Sequence, residues 1–128
     1  MKEPSEELDL LAHEVIGAAI GVHRLLGPGF LESVYEEALT IEMTMRKIPF
    51  TRQVGVGVSY KDNIVGRGKL DFLVGSQLVV ELKAIDMLAP IHSAQLLSYL
   101  KTTGFHLGLL INFNTPALRN GLKRIILS

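Results

Sequence analysis

The sequence predicts a single α/β domain of the α+β kind, with a mixed central sheet flanked by helices. Three observations carry this. Apolar residues recur at helical spacing up to Pro49 and at a spacing of two after it. Beyond Pro90 the helical pattern returns, ahead of a short apolar run at 105–113. The 128 residues are 48% apolar, enough for one core without metal or disulfide staples.

The elements follow in order. Ser5 is a plausible N-cap, and the acids behind it suit a helix N-terminus. Leu8, Leu11, Val15, Ala18, Val22 and Leu26 then mark an amphipathic helix over 6–26, ended by Gly27-Pro28-Gly29. A second helix is expected over 31–47, with Leu31, Val34, Ala38, Ile41 and Met45 on its apolar stripe. Phe50, Val54, Val56, Val58 and Tyr60 share one parity and define a half-buried strand. Lys61-Asp62-Asn63 turns the chain into a second strand, 64–74, with Gly66 and Gly68 as bulge points. Gly75-Ser76-Gln77 leads to a third strand, 78–84. Pro90 opens a helix over 91–103, closed by Gly104, and 105–113 is a buried strand. Asn114-Thr115-Pro116 caps a short helix, and 124–127 is a last edge strand. No repeat or linker interrupts this α-α-β-β-β-α-β order, so 1–128 reads as one domain.

Composition excludes several chemistries. Without cysteine there is no disulfide, thiolate metal site or cysteine nucleophile. The acidic start, Met1 to Glu7, lacks a signal-peptide layout, and no apolar run spans a bilayer. A cytoplasmic protein without a membrane partner is expected. The net charge is zero, which argues against strong nonspecific DNA binding. That total hides a split. Residues 1–42 hold nine acids and two bases, and 43–128 hold four acids and eleven bases. The split leaves room for one basic face, or reflects only the preference of acids for the N-terminal helices. A mean hydropathy of +0.31 is high for a soluble monomer and suggests a buried subunit interface, as in a homodimer.

The chemistry concentrates on the second and third strands. If Gly75-Ser76-Gln77 is a three-residue loop, Val74 faces Leu78 and Asp71 falls opposite Glu81. Lys69 then falls opposite Lys83, and Glu81 and Lys83 share the face of Asp71. Leu70, Phe72, Val74, Val80, Leu82 and Ala84 point to the other face. Opposed carboxylates repel. A divalent cation between Asp71 and Glu81 relieves that repulsion, because hard cations take carboxylate and carbonyl oxygens. Lys83 is then placed to assist a nucleophilic water or neutralise an oxyanion, which suits phosphodiester hydrolysis. The competing reading is a solvated strand face with incidental charges.

Other signals are weaker. His13, His23, His92 and His106 lack ligand spacing, and only His92, before the third helix, draws attention. Gly55-Val56-Gly57 and Gly66-Arg67-Gly68 lack the rest of a nucleotide fingerprint. Arg46, Lys47 and Arg52, and later Lys101, Arg119, Lys123 and Arg124, are either phosphate contacts or solvated charges.

An Asp at a strand end, a short turn and then Glu-x-Lys resembles the PD-(D/E)xK nuclease superfamily. Gly29-Phe30-Leu31-Glu32-Ser33-Val34-Tyr35 reads as GxxExxY, the motif naming one small family within it. Residues 79–84, 94–101 and 108–113 are similar to that family too, in its order, so the resemblance spans about 8–127. It implies a restriction-endonuclease-like αβββαβ core with an extra N-terminal helix, and Mg²⁺- or Mn²⁺-dependent cleavage of nucleic acid, DNA in the first place. It further implies Asp71 and Glu81 as metal ligands, joined by Glu32, directly or through water, and by the Leu82 carbonyl. Lys83 would be the catalytic lysine, and Gln95 would orient water or phosphate. Tyr99, at i+4 from Gln95, shares its helix face and is a candidate substrate contact. Lys69, where many relatives carry Arg, is another; it keeps the charge but loses the bidentate fork. The rival function is a non-catalytic nucleic-acid- or protein-binding module on the same fold.

Overall fold

The computed structural model describes residues 4–128. Met1-Lys2-Glu3, the first part of the start judged to lack a signal peptide, lies outside the described residues. Among the described residues no helix is long and apolar enough to cross a membrane.

Ser5 caps α1 (Glu6–Leu26), its Oγ accepting from Leu8 N at 3.1 Å. α2 (Glu32–Met45) follows a turn through Gly27 and Gly29. Then come β1 (Phe50–Tyr60), β2 (Asn63–Val74), β3 (Leu78–Lys83), α3 (Pro90–Thr103) and β4 (Leu107–Asn112). A 3₁₀ turn at Leu118–Gly121, one step beyond the expected short helix, precedes β5 (Leu122–Ile126). The sheet order is β1-β2-β3-β4-β5. β3 and β4 run parallel, joined by a crossover through α3, and all other neighbours are antiparallel. The sheet is therefore mixed, as expected.

Two apolar clusters sandwich it. α1 and α2 pack on Phe72, Val74, Leu78, Val80, Leu82 and on Leu107, Leu109 and Ile111 of β4. Leu96 and Leu100 of α3 pack on Val56, Leu70, Val79 and Leu110 on the other face. Leu70 is a correction: it was expected to share a face with Phe72 and Val74, yet lies under α3. The alternation breaks at Asp71, opposite the point where β1 is distorted. Gln53 has φ 52° there and drops out between the pairs Arg52↔Phe72 and Val54↔Leu70. The bulge in this hairpin is also displaced. Gly66 and Gly68 pair regularly with Val58 and Val56, and the extra residue is Val65, since Ser59 pairs with Ile64.

The apolar stripe of α2 is one residue out of phase with expectation. Tyr35, Leu39 and Met43 are buried, whereas Leu31, Ile41 and Met45 are 76, 62 and 74% exposed. Both stripes run at helical spacing, so periodicity could not choose between them. The Tyr35 ring decides, stacking on Phe113 with centroids 4.6 Å apart and an interplanar angle of 9°. Leu39→Ala is therefore expected to cost about 2–5 kcal/mol, and Ile41→Ala no more than about 0.5 kcal/mol. Urea unfolding of the two variants checks this, and equal losses would reject the assigned face.

Candidate metal-binding active site

The β2–β3 register is the expected one at Val74↔Leu78, Leu73↔Val79 and Phe72↔Val80. There the ladder ends. At the next position the side chains take over the backbone bonds. Glu81 Oε1 accepts from Asp71 N at 3.1 Å, and Asp71 Oδ2 accepts from Leu82 N at 2.8 Å. Each carboxylate thus satisfies a strand N–H left by the parting strands, and each keeps a second oxygen outside this lock. Lys69 does not pair with Lys83 across a ladder, as the simple register implied. Its strand partner is Gly55, and it meets Lys83 instead at the wall of a cavity.

The electrostatics are uncompensated. Burial first, then the Asp71 charge, push the Glu81 carboxyl up to about 8. Burial also raises Asp71, with Glu36 adding to the effect while the Leu82 N–H and Lys83 oppose it. Glu32 is raised by partial burial and then by Asp71, with Lys83 opposing. Glu32, Asp71 and Glu81, with Glu36 beside them, and one lysine therefore act on one another from α2, β2 and β3, although Glu32 is largely open to solvent. Lys83 cannot neutralise them all. Among the described residues no three His, Asp or Glu side chains are gathered closely enough to hold a metal ion. Asp71 and Glu81 form a pair, and Glu32, at the first position of α2, adds no third carboxylate to that group. The pair nonetheless fits Mg²⁺ or Mn²⁺ in kind: half-buried hard oxygens lacking positive charge, for ions that keep several waters.

A cavity of about 470 Å³ opens between α3 and the parted strands. Lys69, Glu81, Lys83, Gln95 and Tyr99 all line it, so most of the expected site residues meet there. Gln95 and Tyr99 do share a helix face. Asp71 and Glu32 lie outside its lining. His92 lines it too, but its Nδ1 accepts from Ala89 N at 2.8 Å, which makes it a cap for α3.

The Gly29-to-Tyr35 segment acquires a structural reason. Gly27 and Gly29 adopt φ 68° and 110°, conformations that favour glycine. The Tyr35 hydroxyl donates to Gly27 O at 2.6 Å and accepts from Phe30 N at 3.2 Å. One buried side chain thus ties down the turn that delivers Glu32 to the first position of α2. Tyr35→Phe is expected to cost about 0.5–1.5 kcal/mol, since two part-buried backbone groups lose their hydrogen-bond partner. Thermal unfolding followed by circular dichroism checks it, and an unchanged Tm would deny the clamp.

Sequence reasoning missed four roles around the site, those of Glu36, Arg52, Gln53 and Asn112. Glu36, one turn after Glu32, accepts from Arg52 Nη2 at 2.8 Å and from Gln53 Nε2 at 2.9 Å. Arg52 also pairs with Glu37, so it is not free for phosphates; Arg46 and Arg124 are likewise tied to Glu42 and Asp9. Signals existed. Glu32 and Glu36 are like charges at i,i+4, an unfavourable spacing, and Arg52 shares the parity of Phe50 and Val54. Asn112 is the fourth. It is 1% exposed; its amide accepts from Ile85 N at 3.0 Å and donates to Ile85 O at 2.9 Å. This two-point bond holds the chain just after Lys83 at the end of β3. A polar residue closing an apolar run was its only mark.

No curated protein matches the chain. Residues 9–125 match the PD-(D/E)XK nuclease superfamily, nearly the whole length. The mixed five-stranded sheet, with helices on both faces, is the restriction-endonuclease-like arrangement that goes with it. With Asp71 at the parting of β2 and Glu81-Leu82-Lys83 beside it, this chain belongs to the PD-(D/E)XK nuclease superfamily.

Proposed function

We propose that this chain hydrolyses phosphodiester bonds in nucleic acid, DNA in the first place, with Mg²⁺ or Mn²⁺, and falls in the GxxExxY group of its superfamily. The observation that carries this reading is the Asp71–Glu81 lock: two half-buried carboxylates with raised pKa values beside a lysine. A purely structural site gains nothing from such repulsion, which weighs against a non-catalytic module. Asp71 and Glu81 would hold the cation, with the Leu82 carbonyl as a further oxygen and Glu32 acting through water. When bound, the cation supplies Lewis acidity and positive charge at the phosphate. Lys83 brings a positive charge and donor to the phosphate oxygens as the water oxygen bonds to phosphorus and the bond to the leaving sugar oxygen breaks. The Gln95 amide orients water or phosphate from α3. The Asn112–Ile85 bonds keep the strand end, and with it Lys83, in place.

The test is cleavage of single-stranded, duplex and branched DNA with Mg²⁺ or Mn²⁺, by the unsubstituted chain, Glu81→Gln and Lys83→Ala. Cleavage that needs metal and is lost in both variants is expected. Cleavage that survives both would remove the assignment.

A further inference from the structure

Charge is sorted across the sheet. α1 and α2, on one face, carry four acids each. α3, on the other, carries none. The acids of the first two helices also neutralise Arg46, Arg52 and Arg124. On the α3 side, Lys69, Lys83 and Lys101 form no ion pair among the described residues.

Two cavities lie in line on that side. The first holds Lys69, Lys83 and Tyr99. The second, of about 340 Å³, is bounded by Gly57, Ser59, Lys101 and Thr102. Tyr99 sits between them. Its ring packs over Gly68 so closely that a Cβ there would lie 2.7 Å from Cε1 and Cζ. Gly68 pairs with Val56, the neighbour of Gly57, so this ring lies against the strand pair that leads from the first cavity toward the second.

The hairpin adds a third observation. Gly66 has no positive φ, and a Cβ there would meet nothing within 4 Å. No turn or internal packing requires glycine there, and glycine weakens a strand. What it leaves is bare backbone on an edge hairpin, open to close approach from outside.

We infer that the groove between α3 and the β1–β2 hairpin is a track for the sugar–phosphate backbone of a single nucleic-acid strand. It runs from Glu81 and Lys83, past Tyr99, to Lys101. The lysines meet phosphates, Gly66 admits the backbone, and the Tyr99 ring stacks on a base. A pocket of about 470 Å³ holds a nucleotide, not a duplex. The chemistry at one end rests on the phosphodiesterase reading; the binding does not.

The experiment uses Glu81→Gln protein in EDTA, so that nothing is cleaved. Fluorescence anisotropy follows a labelled single-stranded DNA, the same sequence as RNA, and the duplex, over a range of salt. Single strands are expected to bind more tightly than duplex; a preference for either sugar supports the track. Added Lys101→Ala should lower the slope of log affinity against log salt by about 0.7. Added Tyr99→Ala should weaken binding roughly fivefold to a hundredfold. Lys47→Ala and Arg119→Ala, outside the groove, should leave it unchanged. The track is overturned if no strand binds, if duplex binds best, or if Lys101→Ala and Tyr99→Ala match the parent. Groove-dependent binding without cleavage by the unsubstituted chain would remove the phosphodiesterase reading and leave the track. Cleavage unaffected by Lys101→Ala and Tyr99→Ala would do the reverse.

Discussion

Glu81→Gln is expected to slow cleavage by orders of magnitude and, at pH 8, to make the fold more stable. The glutamine oxygen can still accept from Asp71 N, so the strand lock persists. What disappears is the negative charge, which burial and Asp71 both oppose. Removing it should stabilise the protein by about 1–2 kcal/mol, or about 4–8 °C in Tm. The same charge is what a cation at the site would need, so kcat should fall roughly 10²- to 10³-fold. At pH 5 the native Glu81 already carries its proton, and the stability gain should vanish. Scanning calorimetry of both proteins at the two pH values, beside the cleavage assay, separates the outcomes. Equal destabilisation at both would make Glu81 a structural residue. Undiminished cleavage would remove it from the reaction.

The second large effect is the pH dependence of the unsubstituted chain. The folded pKa of Glu81 lies near 8, above its ordinary 4.5. The native state therefore holds this proton more tightly than the unfolded chain does. Its contribution is fully present below about 4.5 and is lost as pH rises through 8. Asp71 and Glu32, also raised, act in the same direction. In EDTA, Tm should fall between pH 5 and pH 9, and more steeply than in Glu81→Gln. Divalent cation should reverse the fall. It competes with the proton for the same oxygens, so its stabilisation should be small at pH 5 and large at pH 9. At a hundred times its Kd, a cation adds about 2.7 kcal/mol. A Tm difference between the two proteins that does not vary with pH, or stronger metal stabilisation at pH 5, would show that the pair is neither strained nor metal-binding.

Most elements were legible because local rules suffice for them. Ser5 and Gly27 bound α1 at the residues their types predict, and the three-residue loop at Gly75 placed Val74 against Leu78. The stripe of α2 was not legible. Two apolar seams run along that helix, and the choice falls to Tyr35 through contacts with Gly27, Phe30 and Phe113, the last far away in sequence. Nor could alternation foresee that Leu70 and Phe72 part company, because a left-handed Gln53 on the neighbouring strand breaks the pattern.

At the site the division is similar. The identities Asp71, Glu81 and Lys83, their common strand end and the repulsion between them follow from loop length and strand parity. That the carboxylates replace the ladder, instead of standing above it, is decided by how far β2 and β3 splay, a property of the packed sheet. The roles of Arg52 and Asn112 are tertiary for the same reason: each depends on partners 15 to 27 residues away. The charge split was visible in the sequence as a count. Its meaning needed the third dimension, because the packing of α1 and α2 against one face and α3 against the other turns a difference along the chain into a difference between two sides of a sheet.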